Sequence, residues 1–382
     1  MSDHLSPPPP EPPIPSPSLP PVPGAQQFPA SQFPAGQFPA GQSAYAGPAT
    51  YPGQQTYPGP AAYLGAPVPP RSRAGSHIVG VLLALVLGPL AFLLLAFGNA
   101  RSREVFQMSM FVSSGAAFFY AGAAIAVGII AWWNFRSSAG SITLAILWGG
   151  SGVLTLISSD LNRTIADALG SFLPYEAEMA VIRVLHQQMP LLAAACLAGS
   201  AGAASIARRR GRGDERSGGI AATAGGVPVA PRSRVFAHIG SSVGSAVLAA
   251  FAWAAAASYI RSFFDMRPAW LALIVAVVAL ALIPLLGAWS SLGPAIAGGL
   301  WLGATIAIFT MNSPNMGFLD LLALVSSWIG QDQSSLEMIR PALEGLTSLI
   351  SGMLLGSALG THFARRDGRA IERSERRLTA ST

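Results

Sequence analysis

Lysine is absent from this 382-residue chain, so all 23 of its basic residues are arginine. Charge of either sign is scarce as well: 10% of residues are charged, 51% are hydrophobic and the mean hydropathy is +0.48. Those values exclude an ordinary soluble domain of this length and place most of the chain in lipid. Cysteine is nearly missing. Cys196, alone and inside an apolar segment, excludes an intramolecular disulfide and a cysteine-based metal site. The bias toward Arg, with 41 Gly and 31 Pro, is what a GC-rich bacterial genome encodes.

Reactive motifs are missing too. There is no phosphate-binding Gly-rich loop, no cluster of metal-ligand spacing and no Ser/His/Asp arrangement, so no catalytic residue, metal or cofactor is assigned and the chain reads as a non-enzyme. The net charge of +6 does not point to nucleic acid. Its arginines flank apolar runs, where positive charge sets topology and attracts anionic lipid headgroups, and the interleaved aromatics of a nucleic-acid groove are lacking. The first residues lack a charged start followed by an apolar core, so the first apolar helix is expected to stay as an anchor.

What is present begins with a tail over residues 1–70. It carries Pro7 to Pro10, then Phe28, Phe33 and Phe38 five apart, then Tyr45, Tyr51, Tyr57 and Tyr63 six apart. Proline removes backbone donors, and few aliphatic residues are available to offset chain entropy, so the tail is expected to be disordered. Its regular aromatics and prolines suit weak multivalent capture of a cytoplasmic protein partner.

Long apolar runs follow, near 77–98, 114–134, 140–158, 188–207, 236–259, 269–288, 292–311 and 346–363. A spanning helix needs about 20 apolar residues, so the expected fold is an all-α integral membrane protein of about eight transmembrane helices. Arginines gather in the linker near 208–235 and the tail 365–382, whereas the loops 159–187 and 312–345 are net acidic. An even number of spans puts both basic segments on one side, which predicts a multi-pass plasma-membrane protein with both termini cytoplasmic.

Arg71-Ser72-Arg73 with His77-Ile78 recurs as Arg232-Ser233-Arg234 with His238-Ile239. Ile182-Arg183 recurs as Ile339-Arg340, and Ala207-Arg208-Arg209 as Ala364-Arg365-Arg366, at an offset of 157. Order and near-constant offset predict two parallel four-helix repeats, 71–212 and 232–364, joined by a linker 213–231 and followed by the Arg-rich tail. Small residues every fourth position, Ala195, Gly199 and Ala203 in one half and Gly352, Gly356 and Gly360 in the other, mark helices for close packing between halves or between subunits of a homo-oligomer.

The spans hold essentially no acid or base, which argues against an ion-coupled pump. Ser151, Thr155, Ser158, Thr305 and Thr310 are left as small polar groups for a pathway. His77, His238, His362 and His186 read as interfacial anchors. The acidic loops read as short amphipathic helices, with a candidate polar site over the outer mouth formed by Asp167, Glu178, Arg183, Glu337 and Arg340. The functional expectation is a membrane anchor whose tail recruits partners; the alternative is an uncoupled carrier of small molecules or lipids between the two repeats.

Overall fold

The computed structural model describes residues 73–109, 114–170, 175–223, 234–264, 267–310, 340–342 and 344–380. The expectations for the tail 1–70, for Glu337 and for most of the loop 312–345 lie outside the described residues. Every regular element among those described is a helix. In hydrocarbon each backbone polar group needs an internal partner, and a helix supplies all of them within one segment.

The chain runs through α1 (Ala74–Ser109), α2 (Ser114–Trp133), α3 (Ala139–Ile157), two short helices α4 (Ser159–Gly170) and α5 (Tyr175–His186), and α6 (Met189–Thr223). It continues through α7 (Val235–Phe264), α8 (Trp270–Leu286), α9 (Leu292–Thr310) and α10 (Leu346–Ala380). Seven of these are long and apolar enough to cross a membrane; α8 is equally apolar but has 17 residues. Pro190 and Pro294 sit in the first turns of α6 and α9, where a missing N–H leaves no helical bond unmade.

The distribution of side-chain size inverts that of a soluble core. Alanines such as Ala84, Ala91, Ala123, Ala252 and Ala276 are buried, while Ile78, Leu82, Val86, Phe118, Phe236 and Leu271 face outward. Lipid tails solvate large apolar groups as well as a protein core does, so helices associate by close approach of small residues instead.

Packing follows one scheme on both sides of residue 224. α1 lies on α2 and α3, and α7 lies on α8 and α9. α3 then packs on α6, and α9 on α10. The last helix of each set also reaches across, α6 onto α8 and α10 onto α2, and α6 and α10 lie along each other.

α8 runs alongside α7 over nearly its full depth. Ser262 near the end of α7 accepts a hydrogen bond from Ala269 N–H at 2.8 Å, and the rings of Tyr259 and Trp270 lie 6.4 Å apart. At the other end Ser241 donates to the carbonyls of Leu286 and Ser290, at 3.1 and 2.9 Å. The two long helices α6 and α10, 35 residues each, are about 52 Å long, against about 30 Å of hydrocarbon. Their arginine-rich ends therefore extend past the apolar part of the bundle.

Candidate functional site

Four of the six small residues singled out by spacing, all glycines, lie against backbone of the other set of helices. A side chain at Gly199 of α6 would run into the carbonyl of Ala281 in α8, and one at Gly356 of α10 into the carbonyl of Gly128 in α2. Gly352 meets Ala124 in the same way, and Gly360 rests on the carbonyls of Ala131 and Trp132. Ala203 is fully buried, and half-buried Ala195 borders a groove between α3, α6 and α8. Two glycines that the spacing did not single out close the α6–α10 contact itself. Gly211 lies on the carbonyl of Arg365, and Gly368 on that of Arg208.

At the arginine end the contacts come in pairs. His77 Nδ1 is 2.6 Å from Ser137 Oγ, which accepts the Ala139 N–H; His238 Nδ1 is 2.6 Å from Ser290 Oγ, which accepts the Leu292 N–H. Each histidine thus ties the start of one helix, α1 or α7, to the start of another, α3 or α9. Arg208 donates to the carbonyls of Asn134 and Phe135 just past α2, at 3.1 and 2.9 Å. Arg365 and Arg210 donate to those of Trp289 and Ala288 just past α8, at 3.3 and 3.1 Å. Helix carboxyl ends carry unpaired carbonyls and partial negative charge, so a guanidinium there satisfies both.

Beyond these caps α6 and α10 continue as an ion-paired stem. Arg216 pairs with Glu372 at 2.8 Å and Arg373 with Glu215 at 3.2 Å. Asp214 collects Arg234 at 2.9 Å, Arg369 at 3.0 Å and Arg365 at 3.6 Å. Higher numbers on α6 meet higher numbers on α10, so the two helices run in the same direction.

The opposite end holds a second set of buried polar groups, Glu344 of the loop 312–345 among them. Immediately before α6 the chain turns at Gln187-Gln188, and immediately before α10 at Glu344-Gly345. Gln188 and Gly345 both adopt the left-handed conformation, at φ 56° and 80°. The backbone bonds match one for one: Gln187 N–H to Arg183, Gln188 to Leu185 and Leu192 to Gln188, against Glu344 to Arg340, Gly345 to Ala342 and Leu349 to Gly345. These are left-handed helix caps, which let one helix end and another begin without orphaned amides.

Glu344, one of the acids that make the loop 312–345 net acidic, is buried. Its carbonyl accepts a hydrogen bond from Asn99 Nδ2 at 2.8 Å, its carboxylate lies 3.6 Å from Arg340, and the fully buried ring of Tyr120 stands over Gly345. Gln187 is 1% exposed, and among the described residues neither its amide oxygen nor its nitrogen has a partner. Gln188 donates to Thr155 Oγ1 at 3.2 Å, and Thr305 and Thr347 share a 2.7 Å bond in the second set. The polar site expected over the mouth is only partly gathered. Arg340 belongs to the Glu344 turn, Glu178 and Arg183 are half-buried on α5, Asp167 is exposed on α4, and Glu337 lies outside the described residues. Burial of α5 against α1 and α4 also holds the His186 imidazole below its ordinary range.

The signal that would have found Gln187 and Glu344 was the offset of 157 itself, which superposes them. No metal-ligand cluster occurs among the described residues. No protein-family model, no curated protein and no solved structure matches this chain.

Proposed function

We propose that this chain is a non-enzymatic membrane anchor of eight crossings, built as two parallel four-helix repeats, whose proline-rich tail recruits a protein partner at the cytoplasmic face. The observation that carries the reading is the parallel course of α6 and α10. Two neighbours that run the same way need an odd number of intervening crossings; α7 and α9 are each long enough to cross, so α8 makes the third. α8 follows α7 from end to end, and local thinning of the bilayer accommodates a 17-residue helix.

The paired histidine, arginine, glycine and turn contacts support the repeats, which a two-fold axis along the membrane normal would relate. The arginines of the α6 and α10 ends outnumber Arg101, Arg103, Arg261 and Arg267 at or just past the far ends of α1 and α7, which supports a cytoplasmic assignment for the former and with it for both termini. Backbone-to-backbone packing at Gly199, Gly356, Gly211 and Gly368 holds the two halves in close contact, which favours an anchor over a carrier that must part them. The ion-paired stem then stands on the same side as the tail and gives captured partners a fixed platform.

Deleting residues 1–68 tests this directly. Proximity labelling from the carboxyl end of the full chain is expected to mark a defined set of cytoplasmic proteins, and the truncated chain, still membrane-inserted and thermally unchanged, is expected to mark none of them. An unchanged labelling pattern overturns the recruiting role.

A further inference from the structure

Two grooves on the outside of the bundle occupy corresponding places. The first, of about 510 Å³, lies between α3, α6 and α8, and its α6 wall is Ala195, Ala198, Gly202 and Ser205. The second, of about 370 Å³, lies between α9, α10 and α2, and its α10 wall is Gly352, Leu355 and Leu359. Both are almost wholly apolar and large enough to seat a ligand of several hundred daltons. On α6 the groove points along the helix toward Arg209, eleven residues or about three turns beyond Ala198 and so on the same face. On α10 the same spacing leads from Leu355 to Arg366.

Arg209 and Arg366 differ from their neighbours. Arg208, Arg212, Arg216, Arg365, Arg369 and Arg373 are spoken for by carboxylates across the stem, and Arg376 by Glu372 one turn back on its own helix. Arg210 stacks on Trp289 at 4.4 Å. Arg209 and Arg366 are exposed, and among the described residues neither has a carboxylate partner. A chain that fills an apolar groove in the hydrocarbon and presents negative charge where the helix leaves it is a phospholipid with an anionic headgroup.

We infer that each half of the protein carries one site for an anionic phospholipid, with acyl chains in the groove and the phosphate on Arg209 in one half and Arg366 in the other. The inference rests on the eight-crossing reading, which puts both arginines at the same membrane surface.

Native mass spectrometry of the full chain, released from detergent after equilibration with phosphatidylglycerol or phosphatidylcholine, tests it. Two retained phosphatidylglycerol molecules are expected, one after Arg209→Gln or Arg366→Gln, and none after both. Arg377→Gln, an exposed arginine two turns or more along the stem, is expected to keep two. Ala198→Trp fills the first groove with both arginines intact and is expected to remove one lipid. Equal retention of phosphatidylcholine, full retention in the double variant, or equal loss with Arg377→Gln overturns the sites and leaves only diffuse attraction to charge. Labelling of Arg209→Cys and Arg366→Cys from one side of intact membranes separates this outcome from a failure of topology. If the two cysteines label from opposite sides, the eight-crossing reading fails whatever the lipid count.

Discussion

The turn before α6 and the turn before α10 make the same backbone bonds with different residues, and the comparison shows what each half asks of its own surroundings. In the first, a glutamine occupies the left-handed position, and its side chain is used: Gln188 reaches Thr155. In the second, a glycine occupies it because no side chain fits, since a Cβ at Gly345 would strike the Tyr120 ring and come within 2.9 Å of Leu95. The residue before each turn differs in charge for the same reason. Glu344 has Arg340 beside it and Asn99 on its carbonyl, whereas the amide of Gln187 has no partner among the described residues. One backbone solution thus tolerates two chemistries, provided the neighbouring helices are cut to match.

The widest test of that correspondence lies at mid-helix. Gly199→Val and Gly356→Val each drive a branched side chain into a facing backbone carbonyl, which neither helix can move without losing its own packing. Each is expected to cost about 3 kcal/mol, the upper end for overpacking, and the two costs are expected to agree to within about 1 kcal/mol if the crossed contacts are mechanically alike. Denaturation of the purified protein in mixed micelles measures both. A large cost at one glycine and tolerance at the other would break the comparison at its strongest point.

At the turns themselves the two halves are expected to part. Gly345→Ala combines a left-handed alanine, about 1 kcal/mol, with the collision against Tyr120, for a total of about 2 kcal/mol. Gln188→Ala already has its Cβ in place and forfeits only the bond to Thr155, worth about 0.6 kcal/mol in a membrane interior. The same denaturation series reads the difference, and an inverted order would mean that Tyr120 gives way freely while Gln188 holds more than one hydrogen bond.

Much of this architecture was readable from the chain, and the unreadable parts share a cause. Uncharged runs long enough for lipid identified α1, α2, α3, α6, α7, α9 and α10 as apolar helices, because hydrocarbon leaves the backbone little other choice. Amphipathic spacing of Leu161 and Ile165 anticipated a helix where α4 forms, and Ile165 does pack inward, against the small cluster that α5 forms with α1. The stem was not readable. Its Gly, Arg and Asp content looks like a linker, and what keeps it helical are ion pairs such as Arg216 with Glu372, between residues far apart in sequence. The burial of Glu344 was not readable either, because an acid beside an apolar run is ordinarily solvated and its burial is made tolerable by partners from α1, α2 and the preceding turn. Local pattern reports periodicity and solvation; it is silent on which distant carbonyl a glycine will meet.

The one expected gain sharpens the comparison most, because its sign decides it. Gln187→Met keeps volume while removing an amide whose two ends find no partner among the described residues in a site 1% exposed. Burying an unpaired polar group costs about 1 to 3 kcal/mol, and the thioether replaces it with a flexible apolar chain that adapts to irregular space. A gain of about 1 kcal/mol is therefore expected in the micelle denaturation series, making the first turn more stable than nature left it. A loss instead would mean that Gln187 holds something other than protein at the point where Glu344 holds Arg340, and that the two halves present different chemistry at the same place in the bundle by design of the site, not by drift of an idle residue.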